Sequence, residues 1–174
     1  MLKHIALVTA TLFLGLFSFG QQSIDKALSK VKFEVSNMAF NTVEGTFGAM
    51  KGNVSFSPNQ LGNAHINACI ETATINTENA KRDEHLLTPD FFDANRYPEI
   101  CFTSESIQKG SSGYIAIGNL SMHGVTRKVE IPFTYQNNTI TGQLTIQRSD
   151  YSVGSDGSFM VGQEVNIEII AVLK

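Results

Sequence analysis

"GYIAIGNLSMHGVTRKVEIPFTYQNNTITGQLTIQR", residues 113–148, decides the fold. Val129, Ile131, Phe133 and Tyr135 alternate with polar or turn-forming residues, and Ile140, Leu144 and Ile146 share one parity further on. Side chains that recur with period two lie on one face of a strand, so these are half-buried strands. Asn137 and Asn138 between them read as a tight turn. Pro132 interrupts the second run. A residue without a backbone N–H cannot complete a central ladder, which predicts an edge or a bulge there.

The same alternation extends in both directions. In "SKVKFEVSN" Val31, Phe33 and Val35 are apolar, while Lys30, Lys32, Glu34 and Ser36 are polar. "GTFGAMKGNVSFSP" carries Phe47, Val54 and Phe56, with glycines that permit bends. "NAHINACIETATI" puts Ala64, Ile66, Ala68 and Ile70 on one face and His65, Asn67, Cys69 and Glu71 on the other. "EICFTSESI" aligns Ile100 with Phe102, and "QEVNIEIIAVLK" aligns Val165, Ile167, Ile169, Ala171 and Leu173. About eight strands with short connections such as "KGSSG" predict one all-β domain, a sandwich or a barrel.

A small barrel interior is either filled by side chains or holds one small ligand. Many inward positions are small: Ala64, Ala68, Ala116, Gly118 and Gly142. They leave room, which favours a cavity. Its expected wall is Phe33, Val35, Phe47, Phe56, Ile66, Ile70, Phe102, Leu120, Val129, Ile131, Leu144, Ile146 and Ile167.

Alternation stops between about residues 77 and 95. "TENAKRDEHLL" contains good helix formers behind a Thr that can cap them, and "TPDFFD" reads as a second short helical turn with Thr88 as its cap. Phe91 and Phe92 on this insertion can cover one mouth of a barrel. Arg82, Asp83, Glu84 and His85 follow one another within it. Asp83 could orient His85 as a general base, but no Ser or Cys nucleophile has a motif context. The alternative is that Arg82, Asp83 and His85 bond to backbone and to each other and pin the insertion down. A third reading has them contact a ligand head group. His65, His85 and His123 match no local metal-ligand spacing, so no metal site is expected.

Arg148 is in phase with Ile146 and should reach the interior or its rim. A guanidinium there needs an acceptor, for which Asp150 and Asp83 are candidates. Without such a partner, Arg148 would suit an anionic head group.

Lys3 and His4 precede the apolar run "IALVTATLFLGLFSF", and Ser18 and Gly20 suit the small-residue positions before a cleavage site. Residues 1–20 therefore read as a signal peptide and 21–174 as the mature domain, periplasmic or secreted. The formal charge of the whole chain is −3, and residues 1–20 contribute to it only Lys3. No long basic block occurs, so nucleic-acid binding lacks its electrostatic footprint. Export permits a disulfide between Cys69 and Cys101. Both are out of phase with the apolar sets of their strands, on strands that flank the insertion. A cross-strand bridge at its base and two separate outward thiols both remain open.

"RDEHLLTPDFFDANRYPEICFTS", residues 82–104, closely resembles the signature segment of the YceI-like family of polyisoprenoid-binding, lipocalin-like proteins. "GNLSMHGVTRKVEIPF", "IQRSDYSVG" and "MVGQEVNIEI" resemble three further family segments, in order. Ser121 and Ser152 stand where Thr and Gly are usual, and the two cysteines are not part of the pattern. The resemblance implies an eight-stranded antiparallel lipocalin-like barrel with a helical insertion. It also implies an apolar interior for a long amphipathic lipid, a polyisoprenoid or isoprenoid quinone, with no catalytic activity and no cofactor beyond that lipid. Transient membrane contact is compatible with this, as are a monomer and a homodimer. The rival readings are a packed structural or stress-response barrel without ligand, and an enzyme using the 82–85 cluster.

Overall fold

A computed structural model describes residues 20–37, 41–154 and 161–174. Of the expected leader, residues 1–20, all but Gly20 fall outside these. The strands are β1 (Gln22–Ser23), β2 (Lys30–Asn37), β3 (Asn41–Phe47), β4 (Lys51–Ser55), β5 (His65–Glu71), β6 (Glu99–Gly110), β7 (Gly113–Met122), β8 (Val125–Gln136), β9 (Thr139–Gln147) and β10 (Val161–Val172). They form one antiparallel sheet in the order β1-β4-β5-β6-β7-β8-β9-β10-β2-β3. Helix α1 (Ala80–Leu86) lies between β5 and β6.

Ten strands replace the expected eight. The segment read as one strand around residues 45–58 is two, because the chain breaks at Gly48–Met50, where Ala49 has φ 53°. The tenth strand is β1, two residues long and too short to show a period. It nonetheless joins the far parts of the curled sheet. Gln22 and Ser23 pair with Val54 and Asn53 of β4. On the other side the Ser23 and Lys174 backbones exchange hydrogen bonds of 3.1 and 2.9 Å, and the Asp25 amide donates to the Val172 carbonyl at 2.8 Å.

The hairpins are built from the residues their turns demand. Asn137 and Asn138 both have positive φ, 49° and 57°, and so do His123 and Gly124 at 50° and 76°. Two consecutive left-handed residues make the turn whose twist matches an antiparallel pair. Gly118 is small for a different reason from the one expected. A Cβ there would lie 2.2 Å from the Thr103 carbonyl oxygen, so glycine permits β6 and β7 to approach beside the register shift between Ser104 and Ser106.

Pro132 stands where β8 loses a neighbour. The β8 ladder to β7 runs from Val125 to Phe133, whereas its ladder to β9 covers only Phe133–Gln136 against Thr139–Gly142. The N-terminal part of β8 is thus an edge inside the sheet.

Cys69 lies directly opposite Cys101 in the β5–β6 ladder. The two form a disulfide across a Cα–Cα distance of 4.1 Å and close a loop spanning 32 positions that contains the insertion. Such a loop loses entropy in the unfolded chain when bridged. The double variant Cys69→Ser/Cys101→Ser is expected to lose about 3–4 kcal/mol of unfolding free energy, measured by denaturant titration beside the oxidised protein.

Candidate functional site

The inward faces enclose a cavity of about 200 Å³. For scale, an engineered cavity of about 150 Å³ lined by aliphatic and aromatic groups stays dry and binds benzene. Of the expected wall, Phe33, Val35, Phe47, Ile66, Ile70, Phe102, Leu120, Ile131, Leu144, Ile146 and Ile167 line it, together with Phe91 and Phe92 from the insertion. Ala68, Ala116 and Gly142 are among the small residues that leave the space open. Arg148 is the one charged side chain in the lining.

Two expected wall residues do not line it. Phe56 packs edge-on against Tyr114, Phe133 and Tyr135 at 4.8, 5.4 and 5.2 Å between ring centroids. This aromatic cluster plugs the barrel end remote from α1. Val129 has the inward parity of Ile131 but only packs against the core, half-buried, on the part of β8 that has no β9 partner. Period two assigns a face, but it does not tell how high along the barrel a residue sits. Ile24, Met50, Ile75, Leu86, Met122 and Val153 line the cavity and were not anticipated. Ile24 follows β1, Met50, Ile75 and Val153 lie in turns and Leu86 on α1, where no alternation signals them, whereas Met122 ends β7 in phase with Leu120.

At the other end α1 and the turn after it bring Leu86, Phe91 and Phe92 over the cavity, with Phe92 against Phe47 at 5.5 Å. The helix begins at Asn79, whose side chain accepts from the Arg82 amide at 3.1 Å; Thr77, expected to cap it, does something else. Thr88 heads a single turn, closed by the Phe91 amide donating to its carbonyl at 3.0 Å, but its hydroxyl does not cap that turn and donates back to the His85 carbonyl at 2.7 Å.

Buried Thr77 is the point on which the charged cluster converges. Its amide and hydroxyl donate to the Asp83 carboxylate at 2.9 and 2.6 Å. The Arg82 guanidinium donates to the Thr77 hydroxyl and carbonyl, both at 2.7 Å. One residue earlier, Asn76 pairs with Thr46 of β3. Arg82 and Asp83 therefore tie the insertion to the barrel. His85 turns away to Asp90 at 3.6 Å and to the Phe91 ring. Glu84 is exposed. The geometry contains no Asp83–His85 pair.

The remaining polar residues also separate. His65 meets Ser104 at 3.3 Å, and His123 meets the Tyr151 carbonyl at 3.2 Å. Among the described residues, one group of potential ligand atoms lies close together, Cys69, Glu99 and Cys101, and the bridge occupies its two sulfurs. Burial raises the pKa of the Tyr151 hydroxyl, reinforced by the Asp150 charge. Arg148 is 5% exposed. It donates to the carbonyls of Val153, Gly162 and Val161 at 2.8, 2.9 and 3.3 Å. The two expected acceptors are engaged elsewhere: Asp83 at Thr77, and Asp150 beside Arg127 at 4.0 Å.

The fold has known counterparts. The YceI-like domain model matches residues 22–173. The chain belongs to the YceI-like family. The UPF0312 protein of Vibrio campbellii is 27% identical over 82% of this chain and 82% of its own. That of Pseudomonas savastanoi pv. phaseolicola is 28% identical over 99% and 97%. Among solved structures, Burkholderia cenocepacia BcnA superposes with a TM-score of 0.78 at 27% identity, covering 85% of this chain and 98% of that one. A polyisoprenoid-binding domain from Saccharophagus degradans, implicated in plant cell wall breakdown, shares the fold at a TM-score of 0.63 and 16% identity, over 86% and 95%.

The tie at Thr77 is open to a direct check. Asp83→Ala removes the acceptor of two hydrogen bonds around a buried threonine, and a charged partner is worth about 1.5–3 kcal/mol. Thermal and denaturant unfolding are expected to show a loss in that range. If the cluster acted on a ligand instead, ligand affinity would fall while the melting temperature held.

Proposed function

We propose that this protein is an exported, non-catalytic carrier that holds one long apolar chain, of the polyisoprenoid or isoprenoid-quinone type, inside the curled sheet. The observation that carries the proposal is the lining: a continuous aliphatic and aromatic surface in which Arg148 is the one charged side chain. Binding in such a space draws on the removal of apolar surface from water, about 25 cal/mol per Å². The polyisoprenoid-binding description of the structural relative from Saccharophagus degradans points the same way.

The competing readings fit less well. A packed barrel without ligand would not need the cavity. An enzyme built on residues 82–85 would need the Asp83 carboxylate to face His85, and it faces Thr77. Organic extraction of protein purified from its native source, followed by mass spectrometry, is expected to release an apolar chain lipid in near-stoichiometric amount. An empty extract, together with no uptake of a fluorescent polyisoprenoid, would favour the packed-barrel reading.

The export part of the proposal rests on the apolar run before Gly20. N-terminal sequencing of the protein recovered outside the cytoplasm should begin at or near Gln21. Retention of Met1 on that form would overturn cleavage.

A further inference from the structure

We infer that the apolar chain enters the cavity sideways, through a slot between β8 and β9, rather than over the end covered by α1. The inference rests on the carrier reading above. Ladder pairing between these strands stops at Phe133 and Gly142. Beyond that point β8 stays paired with β7 back to Val125, and β9 stays paired with β10 forward to Gln147. Each strand therefore keeps its outer neighbour while the two separate from each other.

The sequence explains why the gap starts where it does. The next register pair would be Pro132 with Gln143, and a proline brings no N–H to a ladder. The 3-10 turn Arg148–Tyr151, which follows β9, stands at the far end of the gap. Arg127 of β8 holds it by donating to the Asp150 carbonyl at 3.1 Å, and His123 contacts the Tyr151 carbonyl. The slot thus has a fixed hinge at Pro132 and a post at the opposite end.

Its walls match the proposed cargo. Ile131, Leu144 and Ile146 border both slot and cavity, so the two spaces are continuous. Exposure along β9 grades in the same sense. Ile140 and Gly142, beside the paired stretch, are buried, whereas Leu144 and Ile146 are half-buried although they face inward. Val165 and Ile167, their partners on β10, are half-buried too, while Ile131 on the β8 lip is buried. Backbone groups left without a ladder partner on the facing edges of β8 and β9 need another partner, which water can supply. On the outer side Gln143, Thr145 and Gln147 of the β9 lip are uncharged, while the β8 lip carries Glu130 and Lys128, the latter engaged by Glu105.

The test uses the full-length oxidised protein, in which both native cysteines are bridged. Glu130 and Thr145 are exposed on opposite lips of the slot. In Glu130→Cys/Thr145→Cys a short bifunctional thiol reagent, added after folding, staples the lips together. The probe is a fluorescent farnesyl-chain lipid delivered from phosphatidylcholine vesicles. We expect the stapled protein to take up probe at least tenfold more slowly. Each single variant, capped with a monofunctional reagent, should load at the wild-type rate. Stapling after loading should slow release by the same factor. Equal rates in stapled and unstapled protein would overturn lateral entry while leaving the carrier reading intact. No uptake by the wild type in any form would overturn the carrier reading, and the slot with it. Should the double variant misfold, hydrogen exchange on the wild type decides. Loading is expected to slow exchange in residues 127–131 and 143–147 more than in α1, and protection confined to α1 and residues 87–92 would refute the slot.

Discussion

A curled sheet has two lateral ends, and unpaired strand edges are both costly to bury and prone to wrong pairing. Everything inside this protein depends on how those ends meet. The backbone of residues 22–25 inserts between β4 and the end of β10, bonding to Gly52 on one side and to Val172 and Lys174 on the other. That short piece brings Ile24, bridged to Leu173, into the cavity wall. Near β3 the closure is made by other groups. Thr46 pairs with Asn76, and the Gly48 amide donates to the Thr74 hydroxyl at 2.9 Å. The same loop continues into Thr77, where Arg82 and Asp83 converge, so closing the sheet and seating α1 are one construction.

Much of this was legible in the sequence, since period-two alternation needs only local information. The faces of β2, β5, β8, β9 and β10 follow directly from it, and Pro132 marked the place where a ladder fails. What was not legible has physical causes. β1 is too short to display a period. Ala49 gives no sign that it will adopt a left-handed conformation, which divides β3 from β4. Phe56 has the composition of a wall residue yet seals an end, because height within the barrel depends on strand stagger, a non-local property.

The polar residues taught more. Adjacent charges invite a reading as a catalytic group, but Arg82 and Asp83 share a neutral third residue, Thr77, which the sequence suggested only as a cap. Arg148 was paired in expectation with nearby carboxylates, whereas its described acceptors are carbonyls of Val153, Val161 and Gly162. Backbone acceptors are everywhere in a chain and leave no mark in its composition. The cysteines gave the opposite case, since two strand phases and one flanked insertion sufficed to put their opposition in register within reach of sequence reasoning.

The seam between β1 and the end of β10 has a kinetic side. The hydroxyl of Ser23 and the carbonyl of Lys174 approach across 151 positions of sequence, and the neighbouring backbone bonds span similar distances. Loop closure of that length must be met before the contact gives anything back, and proteins dominated by such pairings fold slowly. Since ribosomes deliver a chain from its N-terminus, residues 22–25 emerge long before residue 174 and find their last partners only when it arrives. Until then the inner wall stays open along that seam. A chain of this topology remains an unclosed strip for as long as its final strand is withheld.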